Sequence, residues 1–131
     1  MRLLLDTHVL LWWLADDSKL GKEARSMIAD PGNQVAVSAA TVWEIAIKVS
    51  LKKIEIDLEH LENGIAESGF DALPIVASHA IKAGQLPAIH RDPFDRMLIA
   101  QAVTEELRLV THDGIFKRYR LEAEGLPPIF V

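Results

Sequence analysis

The chain of 131 residues contains no cysteine. That absence removes a disulfide framework, a thiolate zinc site and a cysteine nucleophile together, and a reducing cytoplasm is the expected compartment. Long apolar runs are missing too. The N-terminal "RLLLDTHVLLWWLADD" is interrupted by Asp6 and His8 and closed by Asp16 and Asp17, so neither a membrane span nor a cleaved signal peptide is expected. There is no excess of basic charge: 14 Lys and Arg stand against 19 Asp and Glu, for a net charge of -5. This argues against a broad basic face gripping nucleic acid. Local basic groups remain, at Lys48, Lys52 and Lys53, at His90, Arg91 and Arg96, and at Lys117, Arg118 and Arg120. No Gly-rich turn follows the first strand-like segment, which removes a dinucleotide site. Repeats and low-complexity tracts are absent, and residues 1–131 are expected to form a single domain.

What is present is an alternation of strand and helix. Arg2 to Leu5 reads as a short buried strand and "THVLLWWLADD" as a helix. "SKLGKEARSMIAD" reads as a second helix, with Ser18 as its cap. "QVAVS" reads as a second strand. "AATVWEIAIKVSLKK" is a helix apolar on most faces and is expected to be largely buried. "IDLEHLENGIAESG" continues as an amphipathic helix, "FDALPI" as a strand broken at Pro74, and "VASHAIKAGQL" as a short helix. "PFDRMLIAQAVTEEL" is the clearest helix in the chain. "RLVTHD" follows as a strand, "GIFKRYR" as one or two helical turns and "PPIFV" as a last strand. Apolar strands alternating with helices predict an α/β fold whose parallel sheet, of about five strands, is covered on both faces. Ligands in such sheets sit beyond the carboxyl ends of the strands, where the strand order reverses.

The acids fall where that rule points. Asp6 and Asp113 each close a strand, although each is also a reasonable helix cap. Asp92 is the expected cap of the "PFDRMLIAQA" helix, with Pro93 its first residue. Asp95 then lies in the first turn, on the same stripe as Leu98, Ile99 and Ala102, and so extends the helix face turned toward the sheet. Glu44 pairs by spacing with Lys48, and Thr41, Glu44 and Lys48 form nearly the only polar stripe of their helix. Four carboxylates around one end of a sheet would repel, and a bound cation relieves this. With oxygen ligands and no thiolate, Mg²⁺ or Mn²⁺ fits, and phosphodiester hydrolysis is the chemistry that follows.

The segments "LLLDTHVLLW", "VSAATVWEIAIK", "DPFDRMLIAQA" and "LVTHDGIF", in this order along nearly the whole chain, resemble PIN-domain proteins, and more closely the VapC-type toxins of type II toxin-antitoxin modules. The family's acids match Asp6, Glu44, Asp95 and Asp113, and its accompanying hydroxyls match Thr7 and Thr111. The resemblance implies a Rossmann-like α/β/α sandwich, an endoribonuclease dependent on Mg²⁺ or Mn²⁺, and inhibition by a cognate antitoxin, with DNA met only through that antitoxin. It implies that Asp6, Asp95 and Asp113 hold the cation directly or through water, and that Glu44 holds water or a second ion. In-line attack on RNA would leave a 5′-phosphate and a 3′-hydroxyl. Lys48, Arg91 and Arg96 are candidates for steering the RNA backbone. Trp12 and Trp13, adjacent on a helix and so about 100° apart, either pack internally or contribute a contact for the antitoxin or a homodimer partner.

Two other readings stay open at this point. One is a binding module of the same fold without turnover. The other is an aspartyl-phosphate protein, but a receiver needs a lysine that "PPIFV" lacks, and a phosphatase needs a second Asp where this chain has His8.

Overall fold

The three leucines of "RLLL" lie in strand β1, Arg2–Leu5, and all are fully buried. Side chains alternate along a strand, so an unbroken apolar run requires a covering layer on each face. Both layers exist. Leu3 and Leu5 pack on one side with Val9, Leu10, Val35, Val37, Ile45 and Val110, while Leu4 packs on the other with Ala36, Leu98, Ile99, Leu109 and Phe116.

The computed structural model describes residues 1–119 and 126–131. After β1 come α1 (Thr7–Leu14), α2 (Lys22–Ala29), β2 (Gln34–Ser38), α3 (Ala39–Ser50), α4 (Leu58–Glu67), β3 (Asp71–Leu73), α5 (Ala77–Gln85), α6 (Pro93–Thr104), β4 (Arg108–Thr111), a 3₁₀ helix (Gly114–Tyr119) and β5 (Ile129–Phe130). The sheet has five strands in the order β3-β2-β1-β4-β5, and every pairing is parallel. This is the Rossmann-like α/β/α arrangement expected. The chain winds one way from β1 to β3 and the other way from β4 to β5, so the order reverses between β1 and β4. Asp6 follows β1 and Asp113 follows β4 at that point. Among the described residues, no helix is long and apolar enough to cross a membrane.

Three local expectations are corrected. Ser18 does not cap the second helix, whose cap is Gly21. Asp17 instead accepts from the Lys19 amide through its side chain and from the Leu20 amide through its carbonyl, a turn that drives Leu20 into the core. Helix α3 is not largely buried, since Ala39, Val42 and Trp43 are exposed; it packs on β2 and α6, and Val42, Trp43 and Ala46 line an open apolar groove with α4 and β3. Strand β3 is the sheet edge, so Asp71 and Ala72 are exposed and the strand is not apolar throughout. The turn into β3 uses Gly69, at φ 75°, where a side chain would be strained.

Candidate active site

Asp6 occupies the last rung between β1 and β4, its backbone N–H donating to the Val110 carbonyl at 3.0 Å. The carboxylate does two things at once. Oδ1 caps α1 by accepting from the Val9 N–H at 2.9 Å, and Oδ2 accepts from the Thr111 hydroxyl at the end of β4. The same Thr111 oxygen accepts from the Asp113 N–H at 3.0 Å. Asp113 is exposed, and its Oδ1 accepts from the Ile115 N–H at 3.0 Å, opening the 3₁₀ helix. The bland capping reading of both acids is therefore correct, and it is also how they are held at the switch point.

Glu44 approaches from α3. Thr7, the first residue of α1, donates its hydroxyl to Glu44 Oε1 at 2.7 Å, and Lys48 Nζ lies 2.8 Å from Oε2. Helix α3 leans on α6 through an edge contact of Trp43 on Phe94, ring centroids 5.2 Å apart. Each ring is the chain neighbour of an acid, and the Glu44 charge acts on Asp95 across the same two helices.

Asp95 stands in the first turn of α6. Asp92 caps that helix, its Oδ1 accepting from the Phe94 and Asp95 amides at 2.9 and 3.2 Å. His90 Nε2 lies 2.7 Å from Asp95 Oδ2. Burial pushes the Asp95 carboxyl up from 3.8 to about 6; the His90 hydrogen bond and charge oppose this, while the charges of Asp92 and Glu44 add to it. Burial also raises Asp6, against the hydrogen bonds from Thr111 and Val9. Among the described residues, ligand atoms of His90, Asp92 and Asp95 lie within 4.8 Å of one another, a spacing that no three of the four predicted acids meet. Those four are joined through Thr7 and Thr111 and by repulsion between Glu44 and Asp95.

The sequence and the fold have known counterparts. The family model of the PIN domain matches residues 3–121. The chain belongs to the PIN-domain family. Within it, the chain is of the VapC type: it is 32% identical over 120 residues to Ribonuclease VapC22 of Mycobacterium tuberculosis (strain ATCC 25618 / H37Rv), covering 89% of this chain and 91% of that protein. The fold is shared with VapBC2 from Rickettsia felis bound to a DNA fragment from their promoter, with a TM-score of 0.72 and 18% identity over all of both chains. It is also shared with DNA-bound VapBC from Salmonella typhimurium, with a TM-score of 0.69 and 18% identity over 98% of this chain and 96% of that one.

The donors in this PIN domain fit a hard divalent cation. All are carboxylate oxygens, two of them are raised by burial, and an ionised carboxylate has about four lone-pair sites, so the hydrogen bonds orient these groups without exhausting them. Asp6, Glu44, Asp95 and Asp113 are the residues that would hold it.

The basic candidates fare differently. Arg96 is engaged within the chain: its guanidinium donates to the carbonyls of Pro87, His90, Ala83 and Leu86 at 2.8–3.3 Å, a structural clamp. Lys48 is paired with Glu44, Arg91 is exposed, and Lys117 lies over the Phe130 ring. Arg120 falls outside the described residues. Trp12 and Trp13 are both half-buried and point apart as their spacing requires. Trp12 contacts the rings of His8 and His112 near the acids, whereas Trp13 packs on Phe70 and donates to Ser68 at 3.0 Å. The group that sequence reasoning missed is His90 as the partner of Asp95. Its spacing, five residues before Asp95 across a proline-capped helix start, resembles no helical or strand repeat, and only the loop fold brings the two together.

Proposed function

We propose that this PIN domain is a Mg²⁺- or Mn²⁺-dependent endoribonuclease, the toxin of a type II module, inhibited by a cognate antitoxin. The reading is supported by the chain of contacts that links the acids: Thr111 joins Asp6 to Asp113, the Thr7 hydroxyl donates to Glu44, and the Glu44 charge acts on Asp95, with Asp6 and Asp95 pushed toward protonation by burial. A divalent cation there would relieve the repulsion, activate water and stabilise charge on the leaving oxygen. Asp6, Asp95 and the exposed Asp113 would hold it, and Glu44, steadied by Thr7 and Lys48, would orient water. Thr111 keeps Asp6 and Asp113 in register.

The named relative, a ribonuclease, supports RNA as substrate, and the toxin-antitoxin complexes of the same fold support an antitoxin partner. We include a homodimer in the proposal. The open apolar groove along Val42, Trp43, Leu58 and Leu73 offers more exposed apolar surface than the early helix does.

The test is cleavage of a total RNA pool by purified, antitoxin-free protein. Cutting in Mg²⁺ or Mn²⁺ that disappears with EDTA and in Asp95→Asn is the expected result. Cutting that survives both, or none in the wild type, refutes the reading.

A further inference from the structure

We propose that His90 is a positioning residue that sets the Asp95 carboxylate for the cation, and that the loop of residues 86–92 is the rigid mount that holds it there; this rests on the metal-dependent reading above. Two halves of the geometry support it. The first is the contact itself: His90 Nε2 is 2.7 Å from Asp95 Oδ2, with only 26% and 19% of the two side chains exposed. An imidazole nitrogen that donates to a carboxylate cannot ligate a cation at the same time. A donor on Oδ2 selects one rotamer of a side chain that would otherwise swing at a helix start, and it leaves the remaining lone pairs for a cation.

The second half is the loop. A loop that merely joined α5 to α6 would need few tethers, yet this one is fastened along its length. Arg96, one residue after Asp95, donates to four carbonyls, those of Ala83, Leu86, Pro87 and His90. The His90 carbonyl also accepts from the Tyr119 hydroxyl at 3.3 Å, which ties the mount to the 3₁₀ helix that begins beside Asp113. The Ile89 N–H donates to the Pro87 carbonyl at 2.8 Å, tightening the chain just before His90, and Asp92 closes the far end as the α6 cap. Arg96 and His90 thus act as one device: the arginine fixes the loop backbone and the histidine fixes the acid. Hydrogen-bond partners of metal ligands are worth about 10–100-fold in metal affinity.

The experiment is Mn²⁺ binding followed by the electron paramagnetic resonance of the free ion, on wild type, His90→Ala, His90→Gln and Asp95→Asn. Circular dichroism of the metal-free proteins checks that each is folded. His90→Ala is expected to weaken Mn²⁺ binding at least about 10-fold, and His90→Gln, whose amide can donate to the same oxygen, to recover most of the loss. Arg96→Gln, which frees the mount without touching Asp95, is expected to weaken binding in the same direction. Unchanged affinity in His90→Ala, or no recovery in His90→Gln, overturns the proposal. So does a nitrogen directly coupled to bound Mn²⁺ in pulsed spectra of the wild type that is lost in His90→Ala, because it would make His90 a ligand. Wild-type protein that binds no Mn²⁺ would refute the metal-dependent reading itself, whereas binding lost in Asp95→Asn and kept in His90→Ala removes only the role of His90.

Discussion

Asp95→Asn is expected to make the metal-free protein more stable while removing its activity. At pH 7.5 Asp95 is ionised in both the folded and unfolded states, but the folded state carries the charge in a desolvated place beside Glu44 and Asp92. The gap between 3.8 and about 6 corresponds to about 3 kcal/mol of cost to folding. The side chain is 19% exposed, and relaxation with solvent lowers the figure, so about 1–2 kcal/mol is the expected gain. In a chain of 131 residues that raises Tm by about 4–7 °C. Asparagine keeps an acceptor for His90, so the hydrogen bond is not the variable. The sign with pH follows from the raised value. Between 3.8 and about 6 the folded state binds more protons than the unfolded one, so the wild type loses stability as pH rises through that window. The advantage of Asp95→Asn should therefore be full above about pH 6.5 and nearly gone at pH 4.0. Urea denaturation in EDTA at the two pH values measures it. A variant no more stable than wild type at pH 7.5, or a gap of equal size at pH 4.0, refutes the reasoning. Saturating Mn²⁺ should reverse the order, stabilising the wild type by about 2–3 kcal/mol at a hundred times Kd and leaving Asp95→Asn unmoved.

Substitutions at three further positions separate roles that the sequence left undivided. Thr7→Val removes the hydroxyl that donates to the buried Glu44 at 2.7 Å; it should cost about 1–3 kcal/mol in chemical denaturation and lower cleavage, while Thr7→Ser should restore both. Trp13→Ala, which loses the bond to Ser68 and the packing on Phe70, should destabilise by about 2–4 kcal/mol. Trp43→Ala, at a residue 61% exposed, should cost about 1 kcal/mol or less. Equal losses in the two tryptophan variants would contradict the burial difference.

Local physics made much of this protein readable from its residues. An unbroken apolar run in a strand needs cover on both faces, so "RLLL", "QVAVS" and "RLVT" announce a parallel sheet without any knowledge of strand order. The cap chemistry of Asp6, Asp92 and Asp113 is a property of the residue and its few neighbours, and it appears as read. The inward stripe of α6 likewise carried Asp95 to a half-buried place facing Glu44.

Other features depend on what lies across from a residue, and periodicity does not encode that. Helix α3 is apolar on most faces, yet Trp43 is exposed where it lines the open groove. Arg96 reads as one cation among three, and only the path of the loop after α5 shows four carbonyls converging on it. His90 and Asp95 share no repeat, and a tethered loop sets them 2.7 Å apart. The sequence by itself determined which residues carry chemistry and which elements carry them, because both follow from side-chain type and spacing. Tertiary structure alone decided which of those groups meet, since the strand order that joins β1 to β4 and the loop that mounts His90 arise from packing between segments far apart in the chain.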